Sequence, residues 1–245
     1  MNASGITHAM LLAAGRGERM RPLTDTLPKP LASVCGKPLI VHHLEKLARL
    51  GVRTVVINLA WLGARLREAL GDGAAWGLSI RYSDEGAEAL DVGGGIFRAL
   101  PWLGAAPFLV VSADIYTDLD FATLHIADEA WAQLLLVPNP AHHPRGDFEL
   151  VQGRLLEPAA PQAPRPWTYA GIGLFRPELF EDCQPGKFPL MPALRRAMAH
   201  GRLHGQTFAG QWSNVGTLAQ LNALQGQTPG RRAGAEGSYK IPSVP

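Results

Sequence analysis

Two glycines one residue apart, three arginines and a proline-flanked lysine crowd into one stretch of this chain. It reads Leu12-Ala13-Ala14-Gly15-Arg16-Gly17-Glu18-Arg19-Met20-Arg21-Pro22-Leu23-Thr24 and is closed by Pro28-Lys29-Pro30. Glycines let backbone N–H groups turn inward with no side chain in the way, so such a loop can wrap an anion. Guanidinium forks and a fixed ammonium then add charge-assisted bonds to phosphate oxygens. The chemistry that suits these residues is the binding of a nucleoside triphosphate. A second candidate is Asp114, which follows the apolar run Phe108-Leu109-Val110-Val111. A carboxylate at the end of such a strand, facing a triphosphate loop, offers the hard oxygen that Mg²⁺ takes.

Two better-known phosphate motifs are excluded. The dinucleotide fingerprint needs a glycine where Met20 stands. The P-loop needs Ser or Thr after its lysine, whereas Gly36-Lys37 is followed by Pro38. Other features read as structure when taken alone: Asp114 as a cap, Asn214-Val215-Gly216 as a turn, and Gly93-Gly94-Gly95 as a hinge. Asp118 and Asp120 read as turn and N-cap residues of a helix over 121–129.

These residues need elements that bring them together. Strand signals at 9–14, 54–59, 78–82 and 108–112 alternate with helix signals at 38–50, 61–70 and 95–103. Continuous apolar strands with crossover helices predict a mostly parallel sheet covered on both faces. In such an α/β, Rossmann-like layout the loop after the first strand takes the phosphate position. The second half has strands at 133–137 and 168–175, a Pro/His/Gly-rich turn over 139–147, a hairpin over 148–156, and helices at 190–199 and 218–224. We therefore expect a nucleotide-binding domain over 1–226, with about 139–175 forming a small lobe, and a mobile tail over 227–245. His42-His43 reads as helix surface and His142-His143 as loop.

Composition bounds the rest. A chain of 245 residues that is 47% hydrophobic can bury a full core. A formal charge of +2 implies no strong nucleic-acid or membrane field. No apolar run approaches a bilayer span, and the polar start lacks a signal peptide, so a cytoplasmic location is expected. Cys35 and Cys183 lie far apart and form neither a zinc motif nor a disulfide framework.

The joint pattern G-x-G-x-R-x-x-P-x-T-x-x-x-P-K resembles the signature of the sugar-1-phosphate nucleotidyltransferases, and the likeness runs over about residues 8 to 225. It implies a glycosyltransferase-A-like fold, Mg²⁺ as cofactor, and a nucleoside triphosphate and a sugar 1-phosphate as partners. It implies no nucleic acid or membrane partner, and a monomer or small homo-oligomer. On that basis Ala13, Ala14, Gly15, Gly17, Glu18 and Gly94 are expected at the nucleotide. Arg19 is expected at the β/γ-phosphates and Lys29 at the α-phosphate and sugar phosphate. Asp114 and Asn214 are the expected metal ligands, Asn214 replacing the aspartate of most members.

The strings Asn139-Pro140, His143, Gly146-Asp147-Phe148 and Thr168-Tyr169-Ala170-Gly171-Ile172-Gly173 are similar to the branch that activates N-acetylmuramic acid 1-phosphate. This implies Ser112, Gly146, Asp147 and Gly171 at the sugar. Mannose-1-phosphate guanylyl transfer and glucose-1-phosphate thymidylyl transfer stay open as alternatives, because base choice rests on few residues. Ser112, Val92 and Asn214 depart from the majority pattern, so a nucleotide-sugar-binding relative without turnover also stays open.

Overall fold

Runs of β-branched and aliphatic residues make the central strands, and the alternation within them decides which helix each face receives. In the computed structural model, which describes residues 5–157, 163 and 165–226, the chain begins with β1 (His8–Leu12), α1 (Leu23–Thr26), a small hairpin of β2 (Ser33–Val34) and β3 (Lys37–Pro38), and α2 (Leu39–Leu50). Next come β4 (Thr54–Leu59), α3 (Gly63–Leu70), β5 (Ser79–Asp84), α4 (Asp91–Leu103), β6 (Phe108–Ser112) and β7 (Ile115–Thr117). The second half holds β8 (Ala132–Pro138), β9 (Glu149–Val151), β10 (Arg154–Leu156), β11 (Trp167–Phe175), α5 (Met191–Ala199), β12 (Leu203–Thr207), β13 (Trp212–Asn214) and α6 (Leu218–Gly226).

Nine strands form one sheet in the order β5-β4-β1-β6-β11-β8-β12-β10-β9. The quartet β5-β4-β1-β6 is parallel, β11 runs against β6 and β8, and β12 lies parallel to β8. Leu11, Val55, Ile57 and Val111 face α2 and α3, while Met10, Val56, Val110 and Leu134 face α4 and α5. Helices thus cover both faces, as the periodicity predicts. A third cluster joins Met20, Val34 and Leu39 to Val215, Leu221 and Leu224, fastening α6 to the loop after β1. Among the described residues no helix is long and apolar enough to cross a membrane.

The segment 139–175, expected as a lobe, is built onto the same sheet: it supplies the inner strand β11 and, through β9 and β10, the far edge. The helix expected over 121–129 is a single 3-10 turn, Phe121–Thr123, capped by Asp120, whose Oδ1 accepts from Ala122 N at 3.0 Å. That one turn already buries Phe121 and Leu124, and the chain is extended again at Leu124. His43 is not on the helix surface: it is 1% exposed and donates through Nε2 to Ile115 O at 2.7 Å. Burial pushes its pKa down to about 3 against the opposing pull of that hydrogen bond. The expected tail, 227–245, lies outside the described residues.

Candidate active site

β1 and β6 are parallel neighbours whose connections lead to opposite sides, β1 towards β4 and β6 towards β11. Ligands of open α/β sheets bind at such a switch point, beyond the carboxyl ends of the strands. A cavity of about 330 Å³ opens there, lined by Ala13, Ala14, Gly15 and Gly17 from the loop after β1, by Lys29, and by Ser112 and Asp114 after β6.

Local interactions explain the loop's residue pattern. Gly17 adopts a left-handed conformation, φ 70°, and a side chain there would meet Thr24 at 3.1 Å and the Lys29 stem at 3.3 Å. Thr24 is buried and donates its hydroxyl to Gly17 O at 3.0 Å. The Thr24 hydroxyl and the Lys29 stem therefore hold the glycine turn from behind. Lys29, 12% exposed, reaches across to Asp114, 27% exposed, with Nζ 2.5 Å from Oδ2.

The three arginines divide. Arg16 and Arg21 pair with Glu18 and Asp25, and Arg16 also lies 4.2 Å from the centre of the Trp61 ring. Arg19 has no such carboxylate among the described residues, and its guanidinium lies against Gly216, where a Cβ would be 2.8 Å from Nη2. Glu18, expected at the nucleotide, is an exposed partner of Arg16 and Arg21 and does not line the cavity.

The far wall was not foreseen. Ala13 N donates to Asn58 Oδ1 at 2.7 Å, Asn58 Nδ2 donates to Glu85 Oε1 at 2.8 Å, and Leu90 N donates to Glu85 Oε2 at 2.7 Å. This relay ties the ends of β1, β4 and β5 to the start of α4, and both Asn58 and Glu85 line the cavity. The available signal was a lone amide next to the end of a largely apolar strand, Thr54-Val55-Val56-Ile57-Asn58-Leu59.

Gly94 does not line the cavity. It is buried, its N–H donates to Phe188 O at 3.0 Å, and a Cβ there would sit 2.2 Å from Gly186 O. Gly93 and Gly95 are likewise packed, against Phe188 and against Glu85. The glycine run gives α4 close approach to protein, while Asp91 and Val92 face the cavity.

Asp114 and Asn214 come together through strand pairing. β13 runs antiparallel to β7 with Asn214 opposite Ile115, and Val215 N donates to Asp114 O at 2.9 Å. Asn214 Oδ1 is buried with no hydrogen-bond partner, and a buried unsatisfied acceptor of this kind is uncommon. An orphaned amide oxygen beside a carboxylate and a phosphate loop is a donor set that fits a divalent cation of hard-oxygen preference. Among the described residues no group of three or more His, Cys, Asp or Glu side chains could hold a metal, so phosphate or water oxygens would complete its shell.

On the other side of Asp114 a second cavity, about 340 Å³, is lined by Ser112, Gly171, His142, His143 and Asn214. β11 bulges between Tyr169 and Gly173, and Trp212 Nε1 pins the bulge by donating to Ala170 O at 2.9 Å. Gly171, at φ 73°, passes close enough to Ser112 that a Cβ would be 3.0 Å from its hydroxyl. Gly146 is equally confined, with Arg165 O 2.1 Å from its would-be Cβ. Asp147 spends its carboxylate on protein: Oδ1 accepts from His143 Nε2 at 2.9 Å and Oδ2 accepts from Tyr169 N at 2.8 Å.

Comparison with known proteins gives this site its context. Residues 8–152 match the family model described as nucleotidyl transferase. The chain is 47% identical over 223 residues to the N-acetylmuramate alpha-1-phosphate uridylyltransferase of Neisseria meningitidis serogroup B, covering 89% of this chain and 96% of that protein. It is 36% identical over 220 residues to the enzyme of the same name from Caulobacter vibrioides, covering 85% and 91%. The fold is shared with a Bacillus anthracis structure named for glucose-1-phosphate thymidylyl transfer, at TM-score 0.78 and 20% identity over 94% and 98% of the two chains. A UDP-glucose pyrophosphorylase structure gives 0.74 and 19% over 90% and 97%. A triphosphate-type loop at the switch point, an acid–amide pair beside it, and these relatives together mean that the chain belongs to the sugar-1-phosphate nucleotidyltransferase family.

Proposed function

We propose that the protein joins N-acetylmuramate 1-phosphate to UTP, forming the UDP-sugar and releasing pyrophosphate, with Mg²⁺ as cofactor. The geometric observation that carries the reaction class is Asn214 Oδ1, a buried acceptor without a partner, held beside the Lys29–Asp114 pair. The substrate reading is supported by the two uridylyltransferase relatives, which this chain matches over most of its length. In this reading the enzyme works on soluble phosphorylated sugars in the cytoplasm, in the reuse of cell-wall sugar.

In this reading an oxygen of the sugar phosphate attacks the α-phosphorus. The new O–P bond forms as the bond from the α-phosphorus to the leaving pyrophosphate breaks. The nucleophile is already an anion, so no general base is needed, and catalysis rests on positioning and charge. Main-chain N–H groups of the Ala14–Gly17 stretch cradle phosphate oxygens, the Ala13 N–H being committed to Asn58. Lys29 offers its ammonium to the reacting phosphate, and Arg19, the arginine of the loop without a carboxylate partner, takes the β/γ end. Asp114 and Asn214 would hold Mg²⁺, which supplies Lewis-acid neutralisation of the developing charge when bound.

Pyrophosphate release measured over a panel of sugar 1-phosphates and nucleoside triphosphates tests this. The highest kcat/KM is expected for N-acetylmuramate 1-phosphate with UTP. A preference for mannose 1-phosphate with GTP, or for glucose 1-phosphate with dTTP, would replace the substrate reading, and no release with any pair would support a binding role.

A further inference from the structure

We propose that His143, held in place by Asp147, recognises a carboxylate carried by the acceptor sugar and so selects acidic sugar 1-phosphates over neutral ones. This rests on the proposed function, with the second cavity, lined by Ser112 and Gly171, taken as the side that receives the sugar 1-phosphate.

The local architecture converges on one imidazole. Asn139 ties the 139–147 turn together: its Nδ2 donates to Arg165 O at 2.6 Å and its Oδ1 accepts from Thr168 Oγ1 at 2.9 Å. Gly146 lets the chain pass Arg165 and Asn139 where any side chain would collide. Phe148, 1% exposed, anchors the turn in the core. Asp147 sits between these anchors, and its two oxygens are taken by Tyr169 N and by His143 Nε2. His143 itself lines the cavity, whereas Asp147 does not. A carboxylate that accepts from one ring nitrogen fixes the orientation of the imidazole and aims the other nitrogen. Here that other nitrogen is Nδ1, and with both nitrogens protonated the ring is a cation backed by a carboxylate.

Charge decides what this ring is for. Among the described residues that line this cavity, His142 and His143 are the only basic side chains, and Asp114 is the only acid. A sugar 1-phosphate must bring its phosphate to the Lys29–Asp114 end. A second anionic group on the sugar would be repelled by Asp114 and drawn to the histidines. A neutral sugar has no carboxylate to offer a donor there. N-acetylmuramate carries such a group, the carboxylate of its lactyl ether, and N-acetylglucosamine is the same ring without it.

The test compares these two sugar 1-phosphates, with UTP and Mg²⁺, in the wild type, His143→Ala and His143→Lys. The wild type should favour the carboxylated sugar. His143→Ala should lose about ten- to a hundredfold in kcat/KM for that sugar, the scale of one hydrogen bond to a charged group. It should change little for the neutral sugar and leave the KM for UTP as it was. His143→Lys, which supplies a cationic donor at the same place, should recover part of the preference. Asp147→Asn, checked for folding by its melting curve, should weaken the same preference less than His143→Ala does. Equal losses on both sugars, or no loss on either, would overturn the proposal while leaving nucleotidyl transfer intact. A wild type inert towards every sugar 1-phosphate would overturn both readings.

Discussion

Lys29 and Asp114 are mostly enclosed and lie 2.5 Å apart, so each is the other's main electrostatic partner. Lys29→Ala is expected to lower turnover by on the order of a hundredfold, because it removes a charge aimed at the reacting phosphate. It should also leave Asp114 an uncompensated, partly buried charge and so lower the melting temperature; pyrophosphate release and a thermal melt check the two effects. Asn214→Asp tests the metal reading without an activity assay. A second carboxylate next to Asp114, at an atom shielded from water, costs stability through desolvation and like charge. A divalent ion bound between them reverses that cost. The Tm of Asn214→Asp should therefore fall below wild type in chelator and rise more steeply with Mg²⁺. Identical Mg²⁺ responses in the two proteins would remove Asn214 from the ligand set.

At the scale of elements, α2 carries acid sensitivity in two histidines whose pKa values burial lowers, His42 and, to about 3, His43. His43 shares the inner face of the helix with Ile40, Leu44 and Leu47, at the three- and four-residue spacing of a buried stripe. Its polarity made it read as surface, yet its position in the stripe marks it as core. Since its native pKa is near 3 and its unfolded value near 6.5, the unfolded chain binds more protons at intermediate pH. The stability tied to neutral His43 is complete above pH 6.5 and is lost as pH falls towards 3, at up to about 1.4 kcal/mol per pH unit. Urea midpoints measured between pH 7 and pH 5 should fall in the wild type, and less steeply in His43→Gln. The start of α4 makes a different demand. Gly94→Ala would drive a methyl into Gly186 O, so it should cost about 1–3 kcal/mol of stability. The KM for UTP should change little in the protein that remains folded; a large KM effect with unchanged stability would return Gly94 to the nucleotide. That the Gly15–Gly17 loop, Lys29 and Asp114 meet at one cavity was legible, because the expected chemistry needs several unusual residues at fixed spacing. Asn58 and Glu85 were not, since each is a single polar residue whose partner is distant in sequence. β12 escaped for another reason: Leu203-His204-Gly205-Gln206-Thr207 lacks the apolar run expected of an inner strand, and its place is fixed by pairing with β8.

Across the whole molecule the sheet separates two tasks. In the proposed reading the parallel strands β5-β4-β1-β6 would carry the triphosphate side and the reversal at β11 would begin the acceptor side, with Asp114, which lines both cavities, on the seam between them. The third apolar cluster bears on this arrangement. Met20 leaves the phosphate loop, Val215 follows the metal-ligand candidate Asn214, and both are packed against Leu221 and Leu224 of α6. Arg19 rests on Gly216 at the head of the same helix, where Gln220 Oε1 accepts from Gly216 N at 2.9 Å. A ligand that steadies the loop must therefore damp the opening fluctuations of a helix it does not touch. Amide hydrogen exchange over 218–225 should slow when UTP and Mg²⁺ are added, although no residue of α6 lines the triphosphate cavity. Unchanged exchange there, with slowed exchange in the loop, would show that Met20 and Arg19 move independently of the helix that holds them.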